Sequence, residues 1–278
     1  MVSITHAPIF VNSAEEKFSS IKELRELSNH SHLLMNLVQR DLTVRYKRSV
    51  IGFFWTMLNP LLLMIILTIV FSTIFRFEGI EHFETYFLSS YLVFGFFSQT
   101  TTTAMGSMTW NASLMKRVRV PKSIFAISTT ISGLVNLALA YIPLFVIMIV
   151  RGAPICSTIL ILPLSFLIIA MFTLGVSLLL SALAVYFDDV QQMWQVATIG
   201  LMYLTPIIYP ISIIPERWLW LIRINPLTQL FKLARDPVYN CAMPSAHVFA
   251  ASLVVSVVTL GVGWVVFNRL ARGFYLHI

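Results

Sequence analysis

Residues 124–150 read IFAISTTISGLVNLALAYIPLFVIMIV, a run of 27 residues without a single charged side chain. A helix needs about 20 apolar residues to cross the hydrocarbon core of a bilayer. This run is longer than that minimum, so it predicts a transmembrane helix that is tilted or extends beyond the bilayer.

The rest of the chain has the same character. Of its 278 residues, 58% are hydrophobic and only 11% are charged, whereas soluble domains carry about 25% charged residues. Closed β-barrels would show short alternating segments rather than continuous apolar runs. The sequence therefore predicts an all-α polytopic membrane protein, with an N-terminal region at 1–50 and a six-span domain at 51–278. Its predicted spans are 55–75, 87–110, 124–150, 157–187, 193–213 and 247–267.

The positive charges predict the orientation of these spans. The chain has a net charge of +7, and thirteen of its nineteen Lys and Arg residues precede the first span, follow the second or follow the sixth. Basic residues concentrate on the cytoplasmic side of membrane proteins. We therefore expect both termini to be cytoplasmic and interpret the charge as contact with the bilayer surface, not with nucleic acid.

An amphipathic helix is predicted before the first span, over residues 33–48. Leu34, Val38, Leu42 and Tyr46 share one of its faces, which suits a helix lying in the membrane interface. A soluble helix that packs on a partner explains the pattern equally well. The candidate functional residues of this helix are Arg40, Asp41, Arg45 and Tyr46.

Residues 206–245 form an unusual segment that contains six of the twelve prolines. Prolines this dense break helices into short pieces, and broken backbone at membrane depth must be buried in protein or line a wet cavity. The segment predicts short re-entrant helices between spans five and six, with a surface loop carrying an aromatic anchor as the alternative. We expect Cys156 and Cys241 to lie near the outer face and to be unpaired, although an external disulfide is chemically possible.

Signatures of catalysis are few. The chain has no Gly-x-x-x-x-Gly-Lys run that would hold ATP, and its six histidines lack the spacing of metal ligands. Pro244-Ser245-Ala246-His247 is similar to a motif of membrane lipid-phosphate phosphatases, which is the alternative of another class. That enzyme also needs an acidic residue downstream, and none follows Asp236.

Three blocks resemble the permeases of ABC transporters that export polysaccharide. They are the segment at 37–62, the loop at 114–122 with the sequence LMKRVRVPK, and the pair formed by 203–210 (YLTPIIYP) and 225–227 (NPL). The three occur in the order that this family has. The resemblance identifies the chain as a permease of O-antigen, capsular polysaccharide or teichoic acid export, most nearly O-antigen.

The resemblance implies the partners. It implies a homodimer in the bacterial inner membrane that moves lipid-linked polysaccharide with two copies of a separate ATPase. ATP and Mg would bind to that ATPase, so the chain itself would be no enzyme and would hold no cofactor or metal. A permease of the same fold that exports drugs or small lipids is the alternative within transport.

The resemblance also implies two groups of site residues. The loop at 111–122 would form a coupling helix that docks on the ATPase through Leu114, Met115, Lys116, Arg117, Val118 and Arg119. The first and fifth spans would face the dimer interface, where aromatic faces can pack on sugar rings without holding them tightly. The candidate channel and gate aromatics are Phe53, Phe54, Trp55, Tyr203, Tyr209, Trp218 and Trp220.

Overall fold

A computed structural model describes residues 27, 29–44, 52, 55–70, 81–117 and 120–274 of the chain. All regular secondary structure in these residues is helical, which confirms the predicted all-α class. There are ten α-helices in this part of the chain: α1 Ser31–Val44, α2 Trp55–Val70, α3 Phe83–Trp110, α4 Ala112–Arg117, α5 Ile124–Val150, α6 Leu162–Tyr186, α7 Asp189–Leu204, α8 Leu219–Ile224, α9 Pro226–Tyr239 and α10 Ala246–Ala271.

Three helical segments of the described residues are long and apolar enough to cross a membrane: Ile124–Val150, Ser157–Tyr186 and Ala246–Ala271. They coincide with the predicted third, fourth and sixth spans. Of the other predicted spans, α3 is long but more polar, and the described parts α2 and α7 have 16 residues each. The count of six spans therefore stays a prediction.

The predicted bounds of the fifth span were wrong. We expected it at 193–213, whereas α7 begins at Asp189 and ends at Leu204. Thr205 is extended, because the proline that follows it disfavours helical backbone in the preceding residue. The helix therefore ends before the proline-rich segment, which contains two 3₁₀ turns followed by α8 and α9.

Two apolar clusters hold the described part of the bundle together. The larger one joins α3, α5, α6 and α9, with Phe87, Phe97, Tyr141 and Phe231 among its buried side chains. The smaller one lies where both ends of the described chain meet, and we call it the terminal cluster. Its members are Leu37, Met108, Met115, Ile124, Phe125, Ala126, Leu178, Ala182, Phe267 and Phe274.

The amphipathic helix α1 is part of the terminal cluster. Leu37 and Val38 are buried, and α1 packs on α5 of the same chain. The buried face is centred on Leu37 and Val38, so it is rotated from the predicted face, on which Leu34 and Leu42 are only half-buried. Arg45 and Tyr46, the other residues predicted for this helix, lie outside the described residues.

Cys156 and Cys241 form a disulfide, so the prediction that they are unpaired was wrong. Cys156 precedes the 3₁₀ turn Ser157–Ile161 that leads into α6, and Cys241 follows α9. Helix α9 packs along α6, with the Ser165 hydroxyl donating a hydrogen bond to the Leu233 carbonyl oxygen at 3.0 Å. This packing places the start of α6 beside the end of α9 and brings two cysteines 85 residues apart within bonding distance.

Candidate functional site

A cavity of about 950 Å³ lies among α1, α2, α3, α5 and α7. Its wall contains polar side chains of α3 and α5 that an apolar bundle would not require. They are Ser98, Gln99, Thr100 and Thr103 on α3, and Thr129, Ser132 and Asn136 on α5. Aromatic side chains share the wall: Trp55, Tyr91, Phe94, Phe96 and Trp110.

Three hydroxyl groups of this wall donate hydrogen bonds within their own helices. Thr103 donates to the Gln99 carbonyl oxygen at 2.8 Å, Thr129 to the Phe125 oxygen at 2.9 Å and Ser132 to the Ser128 oxygen at 2.8 Å. This local bonding explains how polar residues fit inside apolar helices. A hydroxyl oxygen has two lone pairs, so these groups can still accept hydrogen bonds from a ligand or from water.

Charged side chains line the cavity only at its α1 end, among the residues that the structure describes. Arg40 donates to Asp41 at 2.9 Å and to the Asn111 side-chain oxygen at 2.8 Å. Asn111 is buried and forms the turn between α3 and α4, where its own amide donates to the Ser107 carbonyl oxygen at 2.7 Å. Arg40 and Asp41 therefore offset each other, and Arg40 links α1 to the start of the predicted coupling loop.

The structure describes four of the six predicted coupling residues. Met115 is buried in the terminal cluster, so it packs inside the chain in this conformation, and Leu114 is half-buried beside it. Lys116 and Arg117 lie in the last turn of α4, while Val118 and Arg119 lie outside the described residues. Of the apolar side chains described here, Leu114 is thus the one left partly open to a partner.

Of the predicted channel aromatics that the structure describes, only Trp55 lies in the cavity wall. Trp55 lines the cavity and is 45% exposed. Tyr203 is exposed on α7, and Trp218 and Trp220 are exposed in the proline-rich segment, none of them in the cavity wall. Tyr209 is half-buried and donates to the Tyr203 carbonyl oxygen at 2.5 Å. Phe53 and Phe54 lie outside the described residues, and the channel role of the whole group stays a prediction.

The proline-rich segment is held by a buried cation that sequence reasoning did not single out. Arg235 on α9 is 6% exposed, donates to the Pro206 carbonyl oxygen at 3.0 Å and lies 4.5 Å from the ring centre of Tyr86 on α3. The Tyr86 hydroxyl in turn donates to the Tyr209 carbonyl oxygen at 3.0 Å. Arg235 and Tyr86 together satisfy carbonyl groups that the break after α7 leaves without helical partners.

Two of the sequence blocks in this segment meet in space. The Asn225 amide donates to the Thr205 hydroxyl at 2.9 Å, and its side-chain oxygen accepts from the backbone N–H of Leu227 at 3.0 Å. Asn225 thus caps α9 and ties that helix to the end of α7 at once. Thr205 precedes Pro206, and Asn225 precedes Pro226. A polar side chain directly before a proline is the sequence signal that could have suggested the contact between Thr205 and Asn225.

An ion pair joins the start of α3 to the end of α5. Glu84 is buried in the first turn of α3, and the Nε atom of Arg151 donates to its Oε1 atom at 2.8 Å. The Glu84 carboxylate raises the pKa of Arg151, first through this hydrogen bond and then through its charge. This contact positions α3 against α5 beyond the apolar run.

The motif that is similar to a phosphatase site starts a helix. The Ser245 hydroxyl accepts from the Val248 N–H at 3.3 Å and so caps α10, while His247 is exposed. Within the described residues, no group of three or more His, Cys, Asp and Glu side chains could hold a metal ion. The geometry of this motif is therefore that of a helix N-terminus.

Comparison with known proteins finds one matching family model and several similar export proteins. Residues 32–239 match the family model described as "ABC-2 type transporter". The chain is 29% identical to "O-antigen export system permease protein RfbA" of Klebsiella pneumoniae, over 92% of this chain and 98% of that protein. A protein with the same name from Myxococcus xanthus is 29% identical over 86% of this chain and 93% of its own length. "Capsule polysaccharide export inner-membrane protein CtrC" of Neisseria meningitidis serogroup A is 24% identical over 91% of this chain and 98% of that protein.

Proposed function

Because this chain belongs to the ABC-2 type transporter family, we propose that it is the permease subunit of an ATP-driven exporter of lipid-linked polysaccharide, with O-antigen as the substrate. The observation that carries this proposal is the cavity. Its wall combines hydroxyl and amide groups with aromatic faces, and both kinds of group bind sugar rings, the first through hydrogen bonds and the second through C–H faces.

The proposed partners follow from the same assignment. A separate ATPase supplies the energy and binds ATP and Mg, and two copies of it serve a permease homodimer. The exposure of α7 supports a second copy of this chain, since Thr198 is its one buried residue. Met193, Val196 and Ile199 are exposed on α7, as are Ile65 and Ile66 on α2, and a second copy would cover part of this apolar surface.

The disulfide supports the proposed orientation in the bacterial inner membrane. Disulfides persist in oxidising compartments such as the periplasm and are rare in the cytosol. Cys156 and Cys241 lie at the end of the bundle opposite the terminal cluster. We therefore propose that the proline-rich segment faces the periplasm and that both termini are cytoplasmic.

Removing this chain from the bacterium that encodes it tests the function. We expect the lipid-linked glycan to accumulate on the cytoplasmic leaflet and to disappear from the cell surface, as measured by labelling with a lectin or antibody before and after cell lysis. The control is a strain whose partner ATPase is inactive, which should show the same accumulation. Surface glycan at the normal level, together with increased sensitivity to drugs, would instead favour the drug-exporter alternative.

Replacing Trp55 by alanine tests whether the cavity carries the glycan. Trp55 lines the cavity wall, and an aromatic contact is worth about 0.5–1.5 kcal/mol, so we expect roughly 2- to 13-fold slower export. Membrane level and basal ATPase activity should stay normal. Phe187→Ala is the control, because Phe187 is an exposed aromatic side chain that is neither in the cavity wall nor among the candidate channel aromatics. Equal export by the two variants would contradict the assignment of the cavity.

A further inference from the structure

We infer that α6 and α10 move as one body that joins the coupling segment (residues 111–122) to the proline-rich segment, and that Lys122 is the positioning residue that links this body to the coupling segment. The inference rests on the proposed function, since it concerns how movement driven by the ATPase reaches the opposite end of the permease. Four sets of contacts between described residues carry it.

The first set connects the coupling segment to the end of α10. The Lys122 ammonium donates a hydrogen bond to the carbonyl oxygen of Ala271, the last residue of α10. Its Nζ atom also lies 5.1 Å from the ring centre of Phe274. A cation at a helix C-terminus is attracted by the carbonyl groups that have no helical partner there. Lys122 therefore binds α10 within this chain, where its sequence position suggested only a cytoplasmic positive charge.

The second set connects the same turn to α6. Phe274 is buried and packs edge-on against Phe267 of α10 and Tyr186 of α6, with ring centres 5.7 and 6.0 Å apart. The Tyr186 hydroxyl donates to the Leu270 carbonyl oxygen at 2.7 Å. The last residues of α6 and α10 are thus held together beside Lys122.

The third set makes the two helices one body. A Cβ atom added to Gly263 of α10 would overlap the Gly175 carbonyl oxygen of α6, so the two backbones are in direct contact. Small residues permit this close approach between membrane helices. Closely packed backbones cannot slide past each other without overlap, and we therefore expect α6 and α10 to move together.

The fourth set attaches this body to α9 in the proline-rich segment. The Thr158 hydroxyl, before α6, donates to the Pro237 carbonyl oxygen at 2.7 Å. Ser165 of α6 donates to the Leu233 carbonyl oxygen at 3.0 Å. The disulfide between Cys156 and Cys241 adds a covalent connection at the same place. Movement of the α6–α10 body is therefore passed to α9 through both hydrogen bonds and a covalent bond.

The test measures glycan exported per ATP hydrolysed, using the assembled permease–ATPase complex in vesicles that contain the lipid-linked glycan. We expect Lys122→Ala to lower this ratio about tenfold or more, the factor that corresponds to one lost hydrogen bond from a charged donor. ATPase binding should persist. Lys122→Arg should restore the ratio, because arginine can also donate to the Ala271 oxygen. Arg272→Ala is the matched control, since Arg272 is an exposed cation that directly follows Ala271 at the end of α10.

Reducing the disulfide in the assembled wild-type complex gives a second measurement that requires no refolding. We expect reduction, verified by thiol labelling, to lower the same ratio, and we expect no further loss when reductant is added to the Cys156→Ser variant. If the Lys122→Ala variant fails to assemble with the ATPase, the measurement after disulfide reduction alone decides whether the inference holds. An unchanged ratio in Lys122→Ala, or after complete reduction, would overturn the inference while leaving the proposed function intact. A wild-type complex that moves no glycan would instead overturn the proposed function, and this inference with it.

Discussion

Replacing Gly263 by alanine is expected to destabilise the protein strongly. The added Cβ atom would overlap the carbonyl oxygen of Gly175 and lie 2.8 Å from its carbonyl carbon, so a backbone on one side must move. Overpacking of a tight interior costs about 1–3 kcal/mol even where side chains can adjust. Here the neighbour is backbone, so we expect a loss at the upper end of that range, measured as a lower thermal unfolding temperature in detergent and less protein in the membrane.

Gly261→Ala provides the control on the same helix. Gly261 is exposed and nothing lies within 4 Å of the position where its Cβ atom would be. Because alanine favours helix over glycine by about 1 kcal/mol, this substitution should be neutral or stabilising. The reciprocal variant Gly175→Ala should resemble Gly263→Ala, since its Cβ atom would lie 2.6 Å from backbone atoms of Thr259 and Leu260. Equal stability of Gly263→Ala and Gly261→Ala would show that the backbones of α6 and α10 are not in contact.

Replacing Arg235 by alanine is expected to loosen the proline-rich segment and to stop export. The change removes the hydrogen bond to the Pro206 carbonyl oxygen and the contact with the Tyr86 ring. A hydrogen bond from a charged group contributes about 1.5–3 kcal/mol, and a desolvated cation–π contact about 2 kcal/mol. We expect a loss of roughly 3 kcal/mol, because removing the buried cation also removes its own desolvation cost. Thermal unfolding and glycan export measure the two effects.

Arg223→Ala is the control for this change, because Arg223 is an exposed cation on the neighbouring helix α8. It should leave stability and export close to wild type. Arg235→Lys keeps a cation that can reach one carbonyl oxygen, and we expect partial recovery. Wild-type stability and export in Arg235→Ala would mean that the break after α7 is held by other contacts, such as the bond between Asn225 and Thr205.

The all-α class and the position of the uncharged run at 124–150 follow from local sequence. The predicted run at 124–150 is observed as α5 with the same bounds, because an apolar run of this length has no other way to satisfy its backbone groups in a membrane. The polar run Gln99-Thr100-Thr101-Thr102-Thr103 stands in the middle of the second predicted span. Polar residues at that depth are the local signal from which the wall of the cavity could have been predicted.

Which side chains meet across the bundle was decided by tertiary structure alone. The sequence position of Arg235 makes it an outer basic residue, yet it is buried against Tyr86, 149 positions earlier in the sequence. Met115, expected to bind a partner, packs inward, and two cysteines expected to be unpaired are bonded. Hydrophobic periodicity reports one face of one helix, and it contains no information on how far each helix is rotated or which neighbour it packs against. The rotation of each helix and its choice of neighbour are set by close contact between backbones, as between Gly175 and Gly263. They are also set by polar groups that find partners only once the helices are in place.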